Sequence, residues 1–162
     1  MNFSNLLTFF RVVFLPLVII CLFFDKFVLA AIIFLILSIT DFFDGYLARK
    51  MNQITDFGKL MDPMADKILV IATLIVLVEK GMAQSLPVII ISSREIFITG
   101  WRAHVGASGI IIAASPAGKI KTVVQIIAVL MLIISFPLGV IALWLAAILS
   151  IYSGVEYIGK RS

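Results

Sequence analysis

Charged residues and cysteine are scarce in this chain of 162 residues, and each shortage excludes a class of protein. Asp, Glu, Lys and Arg make up 14 % of the sequence, against about 25 % in ordinary soluble domains. Apolar residues make up 62 %, which is more than a soluble domain of this size can hide from water. A soluble enzyme and a disordered chain are therefore excluded. The single cysteine cannot form an intrachain disulfide, which also excludes a disulfide scaffold.

The sequence also has few soft metal ligands and only a small net charge. Cys21 is the only thiol and His104 the only imidazole, and they lie in different segments, which argues against a zinc site. The net charge of +4 is too small to indicate a partner such as nucleic acid. In a membrane protein, the position of the charges carries more information than their sum.

Long apolar segments dominate the sequence. A bilayer core of about 30 Å requires about 20 helical residues at about 1.5 Å each. The charge-free run 123–155 is too long for one span, and Pro137 and Gly139 near its middle predict a break. We therefore expect an all-α integral membrane protein with six transmembrane helices, forming a single transmembrane domain over residues 1–162. The predicted spans are 6–24, 28–48, 60–78, 86–103, 119–136 and 140–158.

Lysine and arginine are unevenly divided between the two predicted sides of the membrane. Only Lys26 and Lys80 lie on one side, whereas eight lie with the termini and the second and fourth loops. Because cytoplasmic loops carry an excess of Lys and Arg, both termini are predicted to face the cytoplasm. The eight are Arg49, Lys50, Lys59, Arg102, Lys119, Lys121, Lys160 and Arg161.

Four aspartates flank the second loop in two pairs. Asp41 and Asp44 are three residues apart near the end of the second predicted helix, and Asp62 and Asp66 are four apart near the start of the third. Each pair shares a helix face, so the four carboxylates are expected to converge near the cytoplasmic surface. A carboxylate at membrane depth costs at least about 2.5 kcal/mol on insertion scales and is a functional candidate by default. The alternative, that the aspartates merely end helices at a wet interface, does not account for two pairs in register.

The chemistry of four close carboxylates points to hard cations. They repel one another unless a cation lies between them, and oxygen ligands suit Mg²⁺, Mn²⁺ or Ca²⁺. Two ions bridging such a site would resemble a phosphoryl-transfer centre. Gly45, Ala48 and Gly58 lie on the same faces, where small side chains let a bulky ligand approach the backbone.

These residues form a pattern that resembles the signature of the CDP-alcohol phosphotransferase family. The signature reads D-x-x-D-G-x-x-A-R-x8-G-x-x-x-D-x-x-x-D, and every defining position and every gap is present. The matching residues are Asp41, Asp44, Gly45, Ala48, Arg49, Gly58, Asp62 and Asp66.

The resemblance extends to both sides of this signature. Asn5, Thr8 and Arg11 are similar to an N-x-L-T-x-x-R element near the amino terminus of the family, although Asn5 and Thr8 could equally cap the first helix. Other stretches resemble the branch of the family whose acceptor is glycerol 3-phosphate. These stretches are Ser93-Arg94-Glu95, Arg102, and Gly118-Lys119-Ile120-Lys121-Thr122.

The resemblance implies a six-helix membrane enzyme with a polar cavity open to the cytoplasmic side. It implies transfer of the phosphatidyl group from CDP-diacylglycerol to the 1-hydroxyl of sn-glycerol 3-phosphate, with release of CMP. It also implies a multi-pass protein of the bacterial inner membrane, and homodimers occur in the family. The residues implied to bind CDP-diacylglycerol are Asn5, Thr8, Arg11, Gly45, Ala48, Arg49 and Gly58.

The resemblance further implies that the four aspartates bind two divalent cations, Mg²⁺ or Mn²⁺. Asp66 is then the general base for the incoming hydroxyl, with Asp62 beside it as a second catalytic carboxylate. A metal-bound carboxylate can take a proton only if it is spared full coordination. The roles of Asp66 as base and as ligand therefore compete, and both remain open at this point.

Basic residues predict the acceptor site. Glycerol 3-phosphate is a dianion, so its site requires paired cations. Arg94 and Arg102 are eight residues apart, about two helical turns, and Lys119 and Lys121 lie at the start of the fifth helix. We expect at least two of these four to contact the acceptor phosphate, with Glu95 pairing with one of them. The alternative for the lysines is anchorage at the cytoplasmic interface.

Three other functions remain open from the residues alone. Another family member could use inositol phosphate, serine or phosphatidylglycerol as its acceptor. A small cation- or proton-coupled transporter could bind its ion through intramembrane aspartates, but it would favour inverted repeats, and no repeat is visible. A structural membrane subunit would leave the aspartate spacing without a reason.

Overall fold

The computed structural model consists of six helices in the described part of the chain. The backbone is described over residues 3–51, 56–107 and 116–159, and the side chains over 13–40, 67–102, 104–106 and 116–157. The helices are α1 (Phe3–Phe23), α2 (Phe27–Met51), α3 (Asp56–Glu79), α4 (Ser85–Ala107), α5 (Pro116–Ile133) and α6 (Gly139–Gly159).

Three short connections close one end of the bundle, and each contains a residue with positive φ. Asp25, Gly81 and Ser135 have φ values of 56°, 70° and 55°. In each case the next residue donates its backbone N–H to a carbonyl in the last turn of the preceding helix, at 2.8 to 2.9 Å. These bonds satisfy carbonyls that a helix end otherwise leaves without partners. The left-handed residue thus ends α1, α3 and α5.

The long charge-free run is broken on either side of Pro137. Helix α5 ends at Ile133 and α6 begins at Gly139, so the predicted span 119–136 extends beyond the end of α5. The reason is the left-handed turn at Ser135, which stops the helix before the proline. A Cβ atom on Gly139 would lie 3.2 Å from the backbone nitrogen of Leu132, so glycine permits a close approach that a larger residue would reach only with a shift of the neighbouring backbone.

The helices pack as a bundle in which α1 lies against α2 and α3, α4 against α3 and α6, and α5 against α6, α2 and α3. Large apolar side chains fill the core, among them Leu22, Phe34 and Leu77, which are fully buried. The outer surface is apolar as well. Val28 is 72 % exposed and Ile96 is 68 % exposed, as expected where lipid rather than water surrounds a protein.

Two helices of the described part are long and apolar enough to cross a membrane by length and composition. They are Pro116–Ile133 and Gly139–Tyr157. The other four predicted spans stay predictions, as does the single-domain assignment.

Candidate functional site

The aspartate signature lies on two helices whose backbone is described. Asp41 and Asp44 are on α2, and Asp62 and Asp66 are on α3, so the helical spacing that places each pair on one face is present. The side chains of most predicted site residues lie outside the described ones. These residues are Asn5, Thr8, Arg11, Asp41, Asp44, Gly45, Ala48, Arg49, Gly58, Asp62 and Asp66.

A group of four charged side chains, two of them buried and two half-buried, lies where residues of α3, α4 and α5 meet. Its centre is Glu95 of α4, which is 4 % exposed. Glu95 Oε1 accepts a hydrogen bond from Nζ of Lys121, a residue of α5 that is 3 % exposed. The same oxygen accepts from Arg94 Nη1 at 3.1 Å, and Oε2 lies 3.9 Å from Lys67 Nζ of α3. We call Lys67, Arg94, Glu95 and Lys121 the charge cluster.

Helix α6 holds the arginine of the charge cluster. Arg94 Nη2 donates to Ser153 Oγ at 2.8 Å, and Arg94 Nε donates to the carbonyl oxygen of Ser150 at 3.2 Å. Gln125 Nε2 of α5 donates to Ser150 Oγ at 3.2 Å. A Cβ on Gly154 would lie 3.5 Å from Arg94 Cγ, so the arginine stem packs against the α6 backbone. These bonds supply the partners that buried polar groups require.

Helix α3 joins the same network through Lys67. Its ammonium donates to Thr99 Oγ1, and the Thr99 hydroxyl donates to the carbonyl oxygen of Glu95 at 2.6 Å. Because Lys67 directly follows Asp66 in the sequence, the charge cluster is attached to the helix that carries the second aspartate pair.

The structure brings together two of the four basic residues predicted for the acceptor. Arg94 and Lys121 share the carboxylate of Glu95. Arg102 is exposed, with its guanidinium carbon 5.9 Å from the centre of the Tyr157 ring on α6. Lys119 is also exposed and lies about 200° around the helix from Lys121, so it faces away from the charge cluster.

Sequence reasoning did not assign a role to Lys67, Gln125, Ser150 or Ser153. The sequence nevertheless contained a feature that could have pointed to each of them. Lys67 is a cation within a predicted span, and the other three are polar residues inside the long charge-free run. What the sequence lacked was the rotation of each helix, which decides whether such a residue faces the bundle interior.

The described part of the chain contains no group of three or more His, Cys, Asp or Glu placed to hold a metal ion. The four signature aspartates lie outside the side chains to which that statement applies. Their donor set nevertheless fits a hard divalent cation, because each pair has helical spacing and offers only oxygen ligands.

Comparison with known proteins identifies the family. A family model described as CDP-alcohol phosphatidyltransferase matches residues 1–152. The chain belongs to this family. The matched stretch includes the whole aspartate signature and the charge cluster, so the resemblance predicted from the motif is confirmed. The family is membrane-bound.

The chain is also similar to curated relatives from several bacteria. It is 48 % identical over 139 residues to a protein of Bacillus subtilis (strain 168), covering 81 % of this chain and 72 % of the relative. It is 36 % identical to a protein of Rickettsia felis over 96 % of this chain and 93 % of that one. It is 38 % identical to a protein of Haemophilus influenzae over 97 % and 91 %. Each relative is named CDP-diacylglycerol–glycerol-3-phosphate 3-phosphatidyltransferase. Membership of this enzyme family argues against the two other functions considered from the sequence, a cation-coupled transporter and a structural membrane subunit.

Proposed function

We propose that this chain transfers the phosphatidyl group of CDP-diacylglycerol to the 1-hydroxyl of sn-glycerol 3-phosphate, giving phosphatidylglycerophosphate and CMP. The observation that carries the proposal is the agreement among relatives that cover most of the chain at 36 to 48 % identity and bear one activity in their names. The complete aspartate signature supports it. The reaction belongs to the synthesis of phosphatidylglycerol and related anionic phospholipids.

The proposal places the protein in the bacterial inner membrane as six transmembrane helices. Both termini and a polar cavity face the cytoplasm. The distribution of Lys and Arg supports this orientation. The connectivity supports one shared end for the site, because the end of α2, the start of α3, the end of α4 and the start of α5 belong to the end opposite the three short connections. A homodimer, as in other family members, is part of the same proposal.

Asp41, Asp44, Asp62 and Asp66 are the residues that would hold two divalent cations, Mg²⁺ or Mn²⁺. Bound there, the cations would neutralise the diphosphate of the donor, which is the main requirement of phosphoryl-type transfer. The donor nucleotide is proposed to lie against the remaining signature and amino-terminal positions. These are Asn5, Thr8, Arg11, Gly45, Ala48, Arg49 and Gly58.

The acceptor phosphate is proposed to lie at the charge cluster, in contact with Arg94 and Lys121. Arg102 and Lys119, the other two basic residues predicted for the acceptor, are exposed. Lys67 joins the cluster to α3, the helix that also carries Asp66, and the proposal is that the acceptor hydroxyl reaches Asp66 from there. Asp66 takes the proton of the 1-hydroxyl as general base. The hydroxyl oxygen then bonds to the phosphatidyl phosphorus, and the bond from that phosphorus to the CMP oxygen breaks.

A reconstituted assay tests the proposal directly. Purified protein is supplied with CDP-diacylglycerol, labelled glycerol 3-phosphate and Mg²⁺ or Mn²⁺, and released CMP and labelled lipid are measured together. We expect both products in equal amounts, and we expect a chelator to stop the reaction reversibly. Folded protein that releases no CMP would contradict the enzyme assignment. Faster turnover with inositol phosphate, serine or phosphatidylglycerol would assign the chain to another branch of the family.

A further inference from the structure

Glu95 is the carboxylate around which the charge cluster is arranged. Its two oxygens face cations from three helices: Oε1 contacts Arg94 and Lys121, and Oε2 lies 3.9 Å from Lys67 Nζ. Three cations in a buried place repel one another strongly, since the effective dielectric there is far below that of water. The carboxylate between them is what allows these cations to lie together.

The hydrogen bonds of the cluster leave N–H groups of the two acceptor cations for a ligand. A guanidinium carries five N–H groups and an ammonium three. The bonds of Arg94 to Ser150, Glu95 and Ser153 use one N–H on each of its three nitrogens. The bond of Lys121 to Glu95 uses one of three. Counting the contacts among the described side chains, each Nη of Arg94 thus has a second N–H, and Lys121 has two further ones, with which to bind an anion.

The charge of the cluster fits a phosphate monoester. Arg94 and Lys121 both contact one oxygen of Glu95, so two cations lie side by side at this place. Paired cations suit an anionic group, and a phosphate monoester at neutral pH carries about two negative charges.

Glu95 itself is unsuited to contact the phosphate, because two anions repel. Its effect must pass through the cations that it holds. On this basis we propose that Glu95 is a positioning residue for acceptor recognition, which fixes Arg94 and Lys121 at one place and joins them to α3 through Lys67. The proposal rests on the proposed function, and it adds that acceptor phosphate recognition depends on a residue that does not touch the acceptor.

The test replaces Glu95 and measures the KM of each substrate separately. Glu95→Gln keeps the shape but removes the charge, and Glu95→Asp keeps the charge but withdraws the carboxylate by one methylene. We expect Glu95→Gln to raise the KM for glycerol 3-phosphate by about tenfold or more, as loss of a charge-assisted contact does. We expect Glu95→Asp to raise it by a smaller factor. The KM for CDP-diacylglycerol should change less than about twofold, because the donor is bound elsewhere.

A matched control separates positioning from folding. Thr73 is also fully buried, and its hydroxyl bonds only to the carbonyl of Leu69 in its own helix at 2.8 Å, among the described contacts. Thr73→Val should leave both KM values unchanged. The inference is overturned if both Glu95 variants yield less active protein but keep the acceptor KM of the wild type. Glu95 would then have a structural role only. Should Glu95→Gln fail to fold, the acceptor KM of Glu95→Asp decides alone, and an unchanged value overturns the inference.

The two proposals can fail separately. Wild-type protein that makes no phosphatidylglycerophosphate contradicts the proposed function before any variant is compared. Wild-type protein that makes it, with acceptor KM values in the Glu95 variants equal to its own, contradicts the inference alone.

Discussion

At the scale of single residues, two lysines in one short segment differ in environment. Lys121 is buried and bonded to Glu95, whereas Lys119 is exposed on another face of α5. The sequence treats them alike, as a pair of basic residues at a helix start. Burial of Lys121 beside a carboxylate is costly unless the pair is well placed and fully bonded, so this lysine has a specific partner rather than a general anchoring role.

Replacement of Lys121 by methionine tests that role. Methionine has a similar length and no charge, so Lys121→Met removes one donor for the acceptor phosphate and leaves Glu95 with fewer cations. We expect the KM for glycerol 3-phosphate to rise by about tenfold or more, with the KM for CDP-diacylglycerol little changed. The matched control is Lys80→Met, because Lys80 pairs with Asp25 at the opposite end of the bundle. An equal rise of the acceptor KM in both variants would contradict the prediction.

The proposed role of Asp66 as general base can be tested by kinetics of a single variant. Asp66→Asn keeps the size of the side chain and removes its capacity to take a proton. Because general base catalysis contributes about 10²- to 10⁴-fold, we expect kcat to fall by at least about 10²-fold. Thermal unfolding of the same preparation in detergent is the control for folding, because Asp66 is also a proposed metal ligand and its replacement affects donor binding. A variant with full activity would exclude Asp66 as the base.

At the scale of elements, the three short connections show how helix ends are determined. Asp25, Gly81 and Ser135 each take a left-handed conformation, and only one of them is glycine. An aspartate in this conformation is tolerated because its short polar side chain costs less there than a bulky one. The ion pair of Asp25 with Lys80 also joins the α1–α2 turn to the end of α3. Trp144 of α6 donates to Gln84 Oε1 at 2.7 Å, which joins α6 to the α3–α4 connection.

The α5–α6 turn yields a prediction about stability. A Cβ on Gly139 would lie 3.2 Å from the backbone of Leu132 and of Met131, and backbone atoms cannot move aside cheaply. Gly139→Ala should therefore destabilise the protein by about 1–3 kcal/mol, as overpacking does, measured as thermal unfolding in detergent. Gly100→Ala is the control, since nothing lies within 4 Å of its added Cβ. Equal unfolding temperatures for the two variants would argue against this close contact.

At the scale of the whole molecule, the bundle has two unlike ends. One end carries the three short connections, with Asp25, Lys80 and Ser135. The aspartate signature and the charge cluster lie on helices that continue toward the other end. The outer surface between the two ends is covered by apolar side chains. This arrangement is consistent with a catalytic site that opens to one side of a membrane.

Labelling of single cysteines tests the orientation. In a Cys21→Ala background, Leu138→Cys places a thiol in the exposed α5–α6 turn, and Lys160→Cys places one after α6. An impermeant thiol reagent applied to intact cells should label the first and spare the second until the membrane is opened. The unmodified Cys21→Ala protein is the control for background. Labelling of Lys160→Cys in intact cells would reverse the proposed topology.

The sequence by itself determined the features that depend on neighbours along the chain. The apolar runs predicted six helices, and the intervals between Asp41, Asp44, Asp62 and Asp66 predicted both their shared faces and the family. Such features are visible because helical periodicity is a local property with a fixed repeat. The end of α5 was not predicted, since a serine such as Ser135 carries no local signal for the left-handed conformation that stops the helix.

Only the tertiary structure decided which charges meet. Glu95 and Lys121 are separated by 26 positions in the chain, and Arg94 and Ser153 by 59. Their contacts depend on the order in which helices pack and on the rotation of each about its own axis. No local pattern encodes either quantity. Arg94 and Lys121 could therefore be named as acceptor candidates from the sequence. The part of Lys67 and the central position of Glu95 could not, because both depend on how three helices pack around one buried carboxylate.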